Sequence, residues 1–328
     1  MSSTVVSPVP ATGVKKFPKK HHPSKQRAIE VKPSHPGFFN KGNTCYANAI
    51  LQAISTFPAL WSQGISSRIV SSSLTRSVSS LMTLMQRSST TIDPSNFLRA
   101  LQVIKTQTDP TFNFNNQHDV PEILDIVLDE LVGVSSLARN LISIKIRYTK
   151  TCDTCFFSYT TENSESILRI PIANSVQASL DFFLKDEALC GNNQWFCPIC
   201  DKLSDSTLET KFSSCGQFFI VQLKRFSFEE GVKKKDHTLV QCLPPTDSTS
   251  PEFLKIPEIV EDDVSFYSGY SLLATINHSG NSEKGHYIAY IRQSKTNSWL
   301  LCDDTKISNV RASALNNSSS YILIYERR

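Results

Sequence analysis

The sequence predicts an α+β fold in which helices come first and strands follow. Up to about residue 135 the apolar residues recur at helical spacing, and from about residue 141 they alternate. Two Cys-x-x-Cys pairs, Cys152/Cys155 and Cys197/Cys200, add that hairpins of the β-rich part are held together by a metal ion.

The chain has 328 residues and is 40% hydrophobic, enough for one large domain with an extension or two medium ones. Residues 1–36 are rich in Pro, Ser, Lys and His and are expected to be disordered. Their cluster Lys15-Lys16-Phe17-Pro18-Lys19-Lys20 has the composition of a nuclear-import or RNA-contact patch, with a plain solvated tail as the expectation. This segment holds seven Lys/Arg and one acid, so the +4 of the whole chain conceals a body of net charge −2. The body therefore gives no argument for a nucleic-acid partner. No apolar run approaches the ~18 residues of a membrane span, and the N-terminus shows no secretion signal. Nine cysteines, an odd number, then suit a reducing compartment, cytosolic or nuclear, with no membrane partner. A monomer is the expectation.

The stretch Gly37 to Tyr46 reads as a loop that delivers Cys45 to a helix start. The helical stripe is Tyr46, Ile50, Ala53, Ile54 and Phe57, with Asn43 or Thr44 as N-cap and Pro58 as stop. Unpaired N–H groups at a helix start favour a thiolate, although the position equally suits a small buried cysteine. Leu74, Val78, Leu81 and Met85 predict a second helix. Phe97, Leu98 and Leu101 predict a third, starting at Asp93-Pro94. The run Gln117-His118-Asp119-Val120-Pro121-Glu122 leads into Ile123, Leu124, Val127 and Leu131, with Asp119 and Glu122 spaced as a capping box. Pro121 is tolerated in a first turn.

Strand patterns follow at Ile142/Ile144/Ile146, Phe156 to Thr161, Ile167 to Ile172 and, as one run, Phe218 to Phe228. A short helix is expected over Leu180 to Leu184, and a loop over residues 243–252. The last strands are expected at Tyr270 to Ile276, His286 to Arg292, Trp299 to Cys302 and Tyr321 to Tyr325. The four paired cysteines make a closed, structural zinc site, with a β excursion in the 41 residues between the pairs. In the hairpin after residue 285, pairing Ile291 with Leu300 places His286 opposite Thr305 and Asp303 diagonal to it, within side-chain reach. A lone His beside an Asp is most often a plain hydrogen bond. With Cys45 it becomes a nucleophile, base and orienter set.

The Cys45 stretch, the paired knuckles, Gly285-His286-Tyr287 and Asp303-Asp304 resemble the ubiquitin-specific protease family of deubiquitinating cysteine peptidases. Gln117-x-Asp119-x-x-Glu122, Leu223-Lys224-Arg225-Phe226, Tyr270 to His278 and Tyr321-Ile322-Leu323 match further boxes in the right order. The resemblance covers roughly residues 36–328. It implies a papain-like hand: a helical thumb over about 37–135, zinc-tipped β fingers over about 141–215 and a β-rich palm. It also implies ubiquitin and ubiquitinated proteins as partners, and hydrolysis of the isopeptide bond at the ubiquitin C-terminal glycine. Carried over by motif, Cys45 is the nucleophile, His286 the base, Asp303 its orienter and Asn40 the oxyanion donor. Gln117, Asp119, Glu122, Gly285, Tyr287 and Asp304 would bind the substrate tail, and Cys152, Cys155, Cys197 and Cys200 the structural zinc.

Departures from the family pattern are Phe38 and Phe39, Lys41, Val120-Pro121 and Cys302. The Val120-Pro121 change weakens the tail-binding assignment of Gln117 and Asp119, for which capping is the alternative. His278 is expected to be structural. Competing readings are a protease for another ubiquitin-like modifier, a silent ubiquitin-binding scaffold and a zinc-ribbon nucleic-acid module. The full Cys45, His286, Asp303 and Asn40 set argues against silence, and the acidic body against nucleic acid.

Overall fold

Helix α1, Cys45–Ile54, is buried along its whole length, its polar Asn48 and Gln52 included. It ends at Ile54, and Pro58, the expected stop, lies outside the residues described by this computed structural model. Those are residues 1–3, 35–57, 60–61, 72–229, 231–242, 253–259, 265–281, 284–294 and 296–328. The expected disordered tail, except for its ends, and the whole of the loop 243–252 also lie outside them. Everything below belongs to the compact unit Lys32–Arg328.

Helix α2, Ser73–Arg87, is capped by Ser72 and buries Leu74, Val78, Leu81 and Met85. Helix α3, Ser95–Lys105, starts after Pro94, where the Asp93 carboxylate accepts from the Ser95 N–H and hydroxyl. Helix α4, Val120–Val134, turns its apolar stripe inward. A further helix, α5 at Ser136–Ile142, was not expected: Ser135 caps it through the Ala138 N–H, so Ile142 closes a helix instead of opening a strand. An isoleucine triplet with period two also suits a helix end followed by a strand, and the cap decides.

The strands are β1 Ile144–Cys152, β2 Ser158–Glu165 and β3 Leu168–Ile170, then helix α6 Val176–Phe183, then β4 Glu187–Leu189, β5 Trp195–Cys197, β6 Lys202–Ser204 and β7 Ser206–Cys215. After these come β8 Phe218–Leu223, β9 Phe226–Glu229, β10 Val232–Lys235, β11 Leu254–Ile259, β12 Ser265–Gly280, β13 Gly285–Arg292, β14 Trp299–Asp303, β15 Lys306–Val310 and β16 Ser320–Arg327. One 12-stranded sheet runs β15-β14-β13-β12-β11-β7-β1-β2, with β16 joining β12 to β8, β3 beside β8 and β4 beside β7. The hairpins β5–β6 and β9–β10 stand apart from it. Helix α1 lies against β13, and its core is shared with the palm through Ala274, Ile276, Ala289 and Ile291.

The single strand expected over Phe218 to Phe228 is broken at Lys224-Arg225. Arg225 is 1% exposed, and its guanidinium donates to the carbonyls of Ser320, Asp236 and Thr238. Burying a charge is costly unless it is hydrogen-bonded, and the chain turns to bring these three carbonyls to Nε and Nη1, while Nη2 has no partner among the described residues. Strand β7 escaped notice because it is polar, with Phe212 the one large apolar side chain that it buries fully.

The folded body begins before Gly37, the expected boundary. The His35 ring meets Gln52 Oε1 at 2.7 Å, and Gln52 Nε2 donates to the Pro36 carbonyl at 2.9 Å. Gln52 is 2% exposed, so a chain cut at Gly37 leaves its amide buried and unpaired. Residues 37–328 should be less stable than residues 35–328 by about 1–3 kcal/mol, read as a shift in urea midpoint at constant slope. Equal midpoints would show that Gln52 finds other partners.

Candidate active site

Cys45 reaches its position because the preceding loop is stitched to two other segments. Phe38 N–H donates to the Asp304 carbonyl at 2.9 Å, and Ile92 exchanges hydrogen bonds with Gly37 and Phe39. A Cβ on Gly37 would stand 2.5 Å from the Asp304 carbonyl oxygen, so only glycine permits this approach. The loop then turns through Gly42 and Asn43, both at positive φ. Asn40 closes the turn: its Oδ1 accepts from the N–H groups of Gly42 and Thr44 and from the Thr44 hydroxyl. Thr44 is the N-cap residue of α1, but its side chain makes no capping bond. It is spent on the loop, accepting from Lys41 N–H at 2.9 Å.

The hairpin β13–β14 pairs Ile291 with Leu300, the register read from the sequence. His286 Nε2 stands 2.7 Å from Asp303 Oδ1. Thr305 is not opposite His286, because β14 ends at Asp303 and the chain reverses at Asp304, which has φ +52°. Cys45 is 4% exposed. Burial pushes its thiol above the ordinary value, the backbone N–H of Tyr287 is the largest opposing influence, and the Asp304 charge adds to the rise. The sulfur is thus held by the peptide N–H that follows His286. Because His286 uses Nε2 toward Asp303, Nδ1 is the nitrogen left for a proton from sulfur.

Asp304 sits at the junction of these parts. Its carboxylate accepts from Asn40 Nδ2 at 2.9 Å and from Asn48 Nδ2 at 2.7 Å. One of the two Asn40 amide protons is thus committed to Asp304, and the other is available to a ligand. Asn48 had no motif to mark it, and its buried Oδ1 has no partner among the described residues.

The Gln117 side chain pairs with both peptide groups of Gly285, at 2.9 and 3.1 Å. The capping box is not formed. Asp119 precedes α4 but makes no cap bond. Its two carboxylate oxygens accept from the hydroxyls of Tyr287 at 3.0 Å and Tyr321 at 3.1 Å. Burial, then the Asp119 charge, pushes both phenols up. Glu122 meets Lys105 at 2.5 Å instead of reaching back to the helix start. Asp119→Ala should therefore cost about 2–4 kcal/mol by orphaning two buried hydroxyls, measured by chemical denaturation; Asp119→Asn, which still accepts, should cost less. A neutral Asp119→Ala would refute the role.

Cys152, Cys155, Cys197 and Cys200 converge with all four sulfurs within 4.8 Å of one another. The Cys152–Cys200 and Cys155–Cys197 separations are 3.9 and 3.6 Å, against ~3.8 Å between sulfurs bound tetrahedrally at ~2.3 Å from a metal. Phe156 and Asp201, each directly after the second cysteine of a pair, take positive φ and fold the two knuckles alike. Four thiols this close cannot all ionise unaided. Backbone N–H donation from Cys155 lowers Cys152 to about 6, while the neighbouring sulfur of Cys155 pushes Cys200 up to about 12. A divalent cation removes that conflict.

The sequence profile of the ubiquitin carboxyl-terminal hydrolase family matches residues 36–325, nearly all of the folded body. The chain belongs to this family. Among its relatives, "Probable ubiquitin carboxyl-terminal hydrolase 4" of Schizosaccharomyces pombe is 27% identical over 89% of this chain and 58% of that protein. "Ubiquitin carboxyl-terminal hydrolase 9" of Arabidopsis thaliana is 31% identical over 47% of this chain and 16% of its own length. The chain thus spans less than two thirds of the length of these two relatives. Its fold is shared with the solved "Structure of the SAGA Ubp8/Sgf11/Sus1/Sgf73 DUB module bound to ubiquitin aldehyde", at TM-score 0.71 and 17% identity over 92% of this chain and 71% of that one. The helices and the large mixed sheet of this chain make the papain-like hand of helical thumb, palm and fingers.

A cavity of about 190 Å³ lies beside Gly285, lined by Gln117, Asp119, Phe226, Lys233, His278 and Tyr287 among others. His278 is held by Lys235, whose ammonium donates to its Nδ1 at 3.0 Å. Burial and the Lys235 charge lower His278 to about 4, so it is neutral. Lys235 carried no signal in the sequence, being one of three consecutive lysines.

Proposed function

We propose that the chain is a thiol-dependent deubiquitinase, hydrolysing the isopeptide bond at the C-terminal glycine of ubiquitin. The observation that carries this is Cys45 at the start of α1, beside a hairpin that pairs His286 with Asp303. The imidazole of His286 takes the thiol proton at Nδ1. The thiolate attacks the glycine carbonyl carbon. Negative charge gathers on the carbonyl oxygen, where the free amide proton of Asn40 donates, a contribution of ~3 kcal/mol. The tetrahedral intermediate collapses as His286 returns the proton to the leaving lysine amine. Water, deprotonated by His286, then adds to the thioester carbonyl; the C–S bond breaks, the proton returns to the Cys45 sulfur and ubiquitin leaves with a free C-terminal carboxylate. Asp303 holds the ring and stabilises the imidazolium.

The four knuckle cysteines would hold one structural zinc ion, which would tie the hairpins together and supply no chemistry to the reaction. Ubiquitin and its conjugates are the partners, with the ubiquitin body resting on the fingers. Nine cysteines without a disulfide support a reducing compartment, cytosol or nucleus. The test is reaction of the purified protein with a panel of ubiquitin and ubiquitin-like proteins carrying a C-terminal electrophile. Labelling of Cys45 by the ubiquitin probe is expected. Labelling by another modifier alone would reassign the substrate, and labelling by none would leave a binding scaffold.

A further inference from the structure

The strand that carries His286 is secured from an unexpected side. In the β12–β13 ladder, His278 pairs with Tyr287, Ser279 with His286, and Gly280 with Gly285. On its other edge the β12–β16 ladder ends at Asn277, with one last bond from the His278 N–H to the Ser319 carbonyl at 2.8 Å. The carbonyls of His278 and Gly280 lie beyond it, and open-edge carbonyls need donors. Lys235, arriving on β10, supplies them: its Nζ donates to the His278 carbonyl at 2.6 Å, the Gly280 carbonyl at 3.2 Å and the His278 ring at 3.0 Å. One ammonium spends all three protons on the strand end that faces Gly285 to Tyr287.

The His278 ring passes this restraint across the ladder. It packs on the Tyr287 ring with centroids 4.6 Å apart. Its Nε2 lies so close to Gly285 that any Cβ there would clash with it. Phe226 on β9 covers it from a third side, 5.7 Å away. Of the charged groups around it, Lys235 and Lys233 act on it directly, and Asp119 stands behind Tyr287. The far end of the same segment is held by Gln117. His286 itself is only part-buried, with 45% of its side chain exposed. Its alignment depends on the backbone that carries it.

We infer that Lys235 is a positioning residue for the reaction: it holds the end of β12, and through His278 and the ladder it sets where His286 stands relative to Cys45. Lys235 does not touch the substrate in this assignment. The inference rests on the deubiquitinase reading for its turnover effects, but not for the behaviour of the thiol.

The test compares Lys235→Met, which keeps the stem and removes the donors, with Lys235→Arg, which restores N–H donors to the two carbonyls. Two readouts are taken on the full chain: kcat and KM on a fluorogenic C-terminal amide of ubiquitin, and the pH profile of Cys45 alkylation by iodoacetamide. For Lys235→Met we expect kcat to fall roughly tenfold to hundredfold, part of the 10²–10⁴ supplied by a well-placed base. KM should stay within about threefold of the wild type. The alkylation midpoint should move to higher pH, because a misplaced imidazole no longer takes the thiol proton. Lys235→Arg should recover most of both.

An unchanged alkylation profile, or kcat losses that only track the unfolded fraction, would overturn the assignment. A rise in KM alone would make Lys235 a substrate contact and overturn it equally. Should Lys235→Met not fold, Lys235→Gln, with fewer donors and no charge, carries the same comparison. A wild-type protein that turns over no ubiquitin amide would defeat the proposed function, while the alkylation profiles would still decide the role of Lys235.

Discussion

Cys45→Ala should abolish turnover of a ubiquitin amide, by ~10⁴-fold or more, while leaving the fold and ubiquitin binding in place. Alanine keeps the Cβ and removes a single buried sulfur at a helix start where the packing is made by Tyr46, Ile50 and Ile54. The stability loss should stay near 1 kcal/mol. Nothing else in the site can replace the sulfur, since His286 and Asp303 are paired with each other. Steady-state kinetics with matched calorimetric binding of ubiquitin would check both halves. Residual turnover within about a hundredfold of the wild type would move the nucleophile elsewhere.

Cys152→Ser should remove the zinc ion and loosen the fingers. Strand β2 is exposed along almost its whole length, and β5 and β6 are three residues each. So little apolar surface cannot hold these hairpins together. The apparent free energy of a closed thiolate zinc site, ~10–16 kcal/mol in small peptides, can. Elemental analysis should give one zinc per native chain and none in the variant. Hydrogen exchange should rise in β1, β5 and β6, with β13 and β14 unaffected. Turnover should fall only in so far as the fingers hold ubiquitin. Native protein purified without chelator and found to hold no zinc would end this reading.

The parts read correctly from the sequence are those whose determinants are local. The Ile291–Leu300 register follows from a short turn between two alternating strands, and it brings His286 to Asp303 without help from elsewhere. A Cys-x-x-Cys knuckle sets its two sulfurs within five residues, so two knuckles suffice to suggest the cluster. The helical stripes of α2 and α4 needed only the 3.6-residue period. Reading failed where a local rule met a distant competitor. An aspartate at an N-cap ordinarily caps, but the hydroxyls of Tyr287 and Tyr321, 168 and 202 residues away, are buried and take the Asp119 carboxylate instead. Serine at 135 outweighed the alternation of three isoleucines, and Arg225 broke a strand that hydropathy ran through.

The chain order of chemical groups, their family and the pairs formed inside one hairpin or one knuckle are therefore written in the sequence. What it does not carry is which polar group answers which across the fold. Asn40 and Asn48 both turn to Asp304, Gln117 grips Gly285, and Lys235 serves the end of β12. Each of these partners lies more than forty residues away, and each choice is made by burial. A polar group taken out of water must be paired by whatever the packing places within hydrogen-bond reach, and packing is a property of the assembled fold rather than of any stretch of its sequence.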